Sequence, residues 1–295
     1  MGAGAAFGAA MKKTLFIFGY GYTAQVFAKT MRAEGWRVSG TTREISSATG
    51  PDIFQWPGDD ISAAFAQASH VLISTAPDEN GDPVLAQLLK NFQQAAKHLE
   101  WLGYLSTTGV YGDHGGAWVD ETTGLTPATL RGHQRVFAEK QWLDLEKSVG
   151  LPVHIFRLAG IYGPGRGPFA KVLNKTARRI IKPNQVFSRI HVDDIAQVLR
   201  ASALAMDPGH IYNVCDDDPA PPQDVIARAA ELLKMPIPKA IDFGSADLTP
   251  MAKSFYGESK KVSNAKIKAK LGIRLIYPDY NAGLKALLQT EIPTK

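Results

Sequence analysis

The chain has 295 residues, 45% of them hydrophobic and 21% charged, ordinary globular values that support a substantial core. A formal net charge of +5 permits anionic ligands, but the basic residues are dispersed and no apolar run approaches a membrane span, so neither nucleic acid nor membrane is an expected partner. The single cysteine, Cys215, cannot close an intrachain disulfide and has no neighbours at metal-ligand spacing, which predicts a cytoplasmic protein without a metal site.

Residues 1–10 are low in complexity and precede a second methionine, Met11, so they read as a flexible leader or a misassigned start. Thr14-Leu15-Phe16-Ile17-Phe18 is too short for a signal-peptide core and suits a buried strand. Gly19-x-Gly21-x-x-Ala24 follows at once. That spacing fits a dinucleotide fingerprint: one glycine makes the turn, one admits a pyrophosphate, and a small residue packs helix on strand. A helix beginning near Tyr22 and Thr23 then offers free N–H groups and a positive dipole end to the phosphates.

A second strand over 37–41 ends in Thr42-Arg43, where such a fold meets the adenosine ribose. No carboxylate closes the strand to accept the ribose hydroxyls of NAD. Arg43 offers a cationic fork for a 2′-phosphate, so NADP is favoured over NAD, with Glu44 as the residue that complicates it. A third strand over 53–56 leads to Asp59, which could face an adenine. A fourth, from His70, runs into Thr75, Ala76 and Pro77, where the cofactor ribose would pass. The next helix, about 83–99, carries an apolar stripe. Strands alternating with amphipathic helices predict an α/β protein with a doubly wound parallel sheet.

A fifth strand, from Tyr104, runs into the hydroxyl-rich turn Ser106-Thr107-Thr108-Gly109, and a sixth spans 154–158. The Gly/Pro-rich stretch 159–167 suits a domain boundary. A helix over about 169–181 is expected next, then Arg189-Ile190-His191-Val192-Asp193-Asp194, with Asp193 and Asp194 capping a helix from Ile195. A strand over 211–214 follows. Beyond Asp216 the composition shifts to Asp and Pro, with helices near 222–233, 264–271 and 281–288. The expected division is a Rossmann domain over 11–165 with 186–214 returning to it, and a smaller, mainly helical substrate-binding part over 166–185 and 215–295.

Six separated stretches resemble the extended short-chain dehydrogenase/reductase superfamily, in particular its NAD-dependent epimerase/dehydratase branch. They are residues 19–24, Ser106-Thr107-Thr108-Gly109-Val110-Tyr111-Gly112, Val119-Asp120-Glu121, 157–166, Ile190-His191-Val192-Asp193-Asp194 and Tyr212-Asn213-Val214. The resemblance implies a nicotinamide cofactor and a small hydroxyl- or carbonyl-bearing substrate, nucleotide sugars among the candidates; a homodimer is left open. The family's chemistry uses a Tyr, a Lys four residues later and a Ser or Thr hydroxyl; the lysine lowers the phenol's pKa so that it can exchange a proton with substrate. Thr107 matches the hydroxyl. Alignment through Glu139 puts Arg131 at the tyrosine and Arg135 at the lysine, and arginine cannot act as acid or base near neutral pH.

The chain is therefore similar to an atypical subgroup that keeps fold and cofactor motif without the usual pair. The resemblance implies that Arg135 hydrogen-bonds the nicotinamide ribose and that Thr108, Arg131 and Arg166 contact substrate. Tyr111 is the nearest replacement acid, although the matching tyrosine in related proteins is largely a loop-packing and substrate-contact residue. A different class stays open beside the enzyme: a non-catalytic sensor of NADP(H).

Overall fold

The computed structural model describes residues 13–45, 52–205 and 207–292; the expected leader lies outside them. β1 (Thr14–Phe18) is apolar at consecutive positions because both its faces are covered. Leu15 and Ile17 join one core cluster, while Phe16 and Phe18 join another. That is the signature of a strand buried inside a parallel sheet.

In chain order there follow α1 (Tyr22–Ala33), β2 (Arg37–Thr42), β3 (Ile53–Gln55), α2 (Ser62–Ala66), β4 (His70–Ile73), α3 (Pro83–Ala95) and β5 (Trp101–Thr107). The middle of the chain gives β6 (Trp118–Val119), α4 (Leu130–Val149), β7 (Val153–Leu158), β8 (Gly160–Tyr162), α5 (Phe169–Leu173), β9 (Arg179–Ile181), β10 (Arg189–His191) and α6 (Val192–Ala205). The remainder is β11 (His210–Val214), α7 (Pro222–Leu232), β12 (Ala240–Asp242), α8 (Pro250–Tyr256), β13 (Lys261–Val262), α9 (Ala265–Leu271) and α10 (Tyr280–Glu291).

Seven strands form one sheet in the order β11-β7-β5-β4-β1-β2-β3, and every neighbouring pair is parallel. Residues from α1 and α6 share one core cluster with the sheet, residues from α3 and α4 the other, so the sheet is doubly wound as expected. The winding direction reverses between β1 and β4. In open α/β sheets the crevice at the carboxyl ends of two such strands is where ligands bind.

Two expected elements differ. The helix over 169–181 stops at Leu173, Lys175 takes a positive φ of 56°, and Arg179–Ile181 pairs in parallel with Ala240–Asp242. The β-branched Ile180 and Ile181 suit a strand better than a fourth helical turn. Asp193 and Asp194 stand inside the first turn of α6 rather than ahead of it. Asp194 turns both carboxylate oxygens to the backbone N–H groups of Ile276 (2.7 Å) and Tyr277 (3.0 Å). It thereby ties the C-terminal segment to the sheet domain instead of capping its own helix. A third, smaller apolar cluster around Tyr162, Phe169, Ala229 and Leu284 holds that segment together.

Candidate active site

The crevice between β1 and β4 is built by Gly19. Its φ of +86° suits glycine, and a Cβ there would lie 3.1 Å from the backbone of Ser74 and Thr75 at the end of β4, so any side chain would push the two strands apart. Gly21 is different. It precedes α1 with an ordinary φ, caps the helix with no side chain, and a Cβ on it would meet nothing within 4 Å. The first N–H groups of α1 therefore face open space, while Thr23 and Ala24 are buried against the core. Across the crevice the buried Thr75 hydroxyl has no hydrogen-bond partner, and Ala76 is exposed beside the half-buried Pro77. An uncapped helix start, an open cradle at Gly21 and an unpartnered hydroxyl fit the pyrophosphate and ribose of a dinucleotide.

At the adenosine end, Arg43 is exposed just past β2 and makes no ion pair among the described residues. Thr42 donates its hydroxyl to the Glu44 carbonyl at 3.2 Å. Asp59 accepts from the Gln55 N–H at 2.7 Å, which occupies one of its oxygens in its own turn.

At the nicotinamide end, Thr107 closes β5. Its hydroxyl oxygen accepts from the Gly109 N–H at 3.1 Å and caps the short 3₁₀ turn Thr108–Tyr111, which leaves the hydroxyl proton free to donate. Arg135, one turn into α4, reaches across to the strand ends. One terminal nitrogen donates to the Leu105 carbonyl (2.7 Å), the Tyr104 hydroxyl (3.0 Å) and the Thr75 carbonyl (3.3 Å). Arg135 thus clamps the carboxyl ends of β4 and β5 at a fixed spacing, and its remaining nitrogens make no hydrogen bond among the described residues. Arg131 is exposed in the first turn of α4 and forms no ion pair among them. Arg166 holds its guanidinium over the Tyr22 ring, 5.7 Å from the centroid.

Tyr111 does not offer the acid expected of it. Its side chain is fully buried; the hydroxyl donates to Asn213 Oδ1 at 2.7 Å and accepts from Arg157 at 3.0 Å. Burial raises its pKa, and the neighbouring Arg157 only partly offsets that. The phenol is a strut between β5, β7 and β11, in line with the loop-packing role of its counterparts.

Behind Tyr111 lies a network that the sequence pattern hides. Arg157 on β7 grips Glu139 on α4 through three hydrogen bonds, the shortest 2.8 Å, and Ser106 donates to the same carboxylate at 2.5 Å. Both ionic side chains are buried. Burial works against the Arg157 charge, yet hydrogen bonding and attraction from Glu139 outweigh it and raise its pKa. The one visible signal was a charged residue in each of two otherwise apolar stripes. Among the described residues there is no cluster of metal-ligating side chains, and no helix is long and apolar enough to cross a membrane.

The comparison with known proteins agrees with this geometry. Residues 84–215 match the model of the NAD dependent epimerase/dehydratase family. Over that stretch the chain is similar to the NAD-dependent epimerase/dehydratase family. The family match covers Thr107 at the end of β5, Arg135 on α4 and Arg157 on β7. A solved structure of a functionally unknown conserved protein from Silicibacter pomeroyi DSS is 56% identical, covers 96% of this chain and 100% of its own, and superposes with a TM-score of 0.89. Protein YeeZ of Escherichia coli K12 is 29% identical over 286 residues, 90% of this chain and 97% of the relative. Human epimerase family protein SDR39U1 (isoform 2), solved with NADPH, shares the fold at 16% identity over 93% of this chain and 98% of its own, with a TM-score of 0.70.

Proposed function

We propose that this protein is a cytoplasmic NADP(H)-dependent oxidoreductase or epimerase of the NAD-dependent epimerase/dehydratase kind, acting on a small hydroxyl or carbonyl compound, with nucleotide sugars among the candidates. The observation that carries the reading is the open cradle at Gly21 beside the unpartnered Thr75 hydroxyl, at the point where the sheet reverses its winding. A nicotinamide dinucleotide bound there supplies or accepts a hydride. Thr107 orients the substrate oxygen, Arg135 holds the two strand ends and turns its free nitrogens toward the ribose, and Arg131 and Thr108 contact substrate. With Tyr111 sequestered and both arginines unable to give up a proton, the proton comes from the substrate itself or from water held by Thr107.

Arg43 sets the preference for NADP(H). Losing its charge-assisted phosphate contact is expected to cost roughly 1.5–3 kcal/mol, or about one to two orders of magnitude in NADP affinity. Titration calorimetry of wild type and Arg43→Ala with NADP and NAD checks this, and an unchanged affinity ratio between the two would contradict it. For the chemistry, Thr107→Ala is expected to slow turnover about tenfold or more while leaving cofactor affinity intact, read by NADPH absorbance with a panel of nucleotide sugars and small carbonyl compounds. Full activity in Thr107→Ala would remove that residue from the site. Tight NADP(H) binding with no turnover anywhere in the panel would favour the sensor, which the arginines at the tyrosine and lysine positions already make the second reading.

A further inference from the structure

Three contacts around the loop after β8 have no part in the proposed chemistry. Tyr22, the first residue of α1, turns its side chain toward that loop, and its hydroxyl donates to the Pro164 carbonyl at 3.0 Å. Arg166 then covers the Tyr22 ring. From the other side the Gly165 N–H donates to Glu291, the last residue of α10, at 2.7 Å. Gly163 sits at φ +154°, and a Cβ on it would lie 2.5 Å from the Tyr22 hydroxyl and 2.7 Å from Val192. The loop is seated on α1 too closely for a side chain to stand between them.

Its course matters. The chain leaves the end of β7, passes through β8 and lands on the residue that begins α1. A dinucleotide lying from Gly21 to the ends of β4, β5 and β7 starts at the same helix end, so this loop lies beside its path. We propose that residues 163–167 form a clasp over the bound dinucleotide, closed by Tyr22 and pinned by Glu291, and that cofactor exchange waits on its opening. The proposal rests on the dinucleotide-binding reading above. A closed clasp governs entry as well as exit, which separates a gate from an ordinary cofactor contact.

Stopped-flow binding and release of NADPH, followed by nicotinamide fluorescence, tests it on wild type, Tyr22→Phe and Glu291→Met. Each variant removes one hydrogen bond of the closed clasp and roughly keeps the side chain's size. Both rates are expected to rise together by about three- to tenfold, with Kd changed by less than about twofold. The proposal is overturned if neither rate moves, or if release alone quickens and Kd rises with it. Should the folded protein take up no nicotinamide dinucleotide, the functional reading fails and the clasp is judged separately by amide hydrogen exchange across 163–167. Faster exchange in both variants than in wild type supports it, and unchanged protection overturns it.

Discussion

Replacing Glu139 with glutamine is expected to cost about 3–5 kcal/mol of folding stability, because it leaves the Arg157 guanidinium buried without its counter-charge. Arg157 is only 3% exposed and its other partners are the Tyr111 hydroxyl and ring, neither of which carries a charge. The amide also keeps one acceptor oxygen where the carboxylate has two, so it cannot receive both Ser106 and the whole Arg157 fork. Denaturant unfolding of wild type and Glu139→Gln measures the loss, and a change under about 1 kcal/mol would show that the pair is dispensable. A double variant, Glu139→Gln with Arg157→Met, is expected to recover part of the loss, since an apolar side chain of similar volume needs no partner.

The second expected result appears as a difference between two pH values. His70 and His154 lie in the core beneath α6, and burial pushes each imidazole pKa down to about 4. The Ala203 carbonyl bonded to His70 pulls the other way but does not prevail. In the unfolded chain both return to about 6.5. Between pH 6.5 and 4 the unfolded state therefore binds more protons, and the stability tied to each neutral histidine is lost as pH falls. From pH 7 to 4.5 this linkage amounts to about 2.5 kcal/mol per histidine.

Two carboxyls oppose it over the same range. Burial pushes Asp216 up to about 8 and Asp194 up to about 6, so the folded state holds their protons and their contribution to stability grows as pH falls. Wild-type stability should therefore vary less with pH than the histidines alone dictate. His154→Phe isolates one histidine, and its ring fits a slot already lined by Trp101 and Phe156. Relative to wild type this variant is expected to gain about 2.5 kcal/mol between pH 7 and 4.5. Denaturant unfolding at the two pH values decides, and a difference that stays constant would mean that His154 is not held neutral.

What the sequence revealed, and what it concealed, follows from how local each feature is. The β1 turn and the start of α1 were legible because their requirements, an apolar run and two glycines at fixed spacing, are met by neighbouring residues. The doubly wound sheet was legible from the alternation of strands and amphipathic helices. The strand at Arg179–Ile181 was not, because its partner, Ala240–Asp242, comes sixty residues later, and the preceding stretch reads equally well as helix. Tyr111 was placed on the correct loop, yet its burial depends on Asn213 and Arg157 from two other strands. Arg166 covers Tyr22, a contact between distant segments that no local pattern announces.

The arrangement of the sheet also constrains how the chain can reach this state. No strand of the seven is joined to its neighbour by a hairpin; each parallel pairing, such as Leu15 with His70 or His154 with His210, brings together segments separated by at least a helix or a long loop. Loop-closure entropy is spent before any ladder forms, so acquisition of the native topology is expected to be slow compared with helix formation. Until β4 docks beside β1, the apolar edge Phe16–Phe18 is uncovered, and this is when self-association competes most strongly with folding.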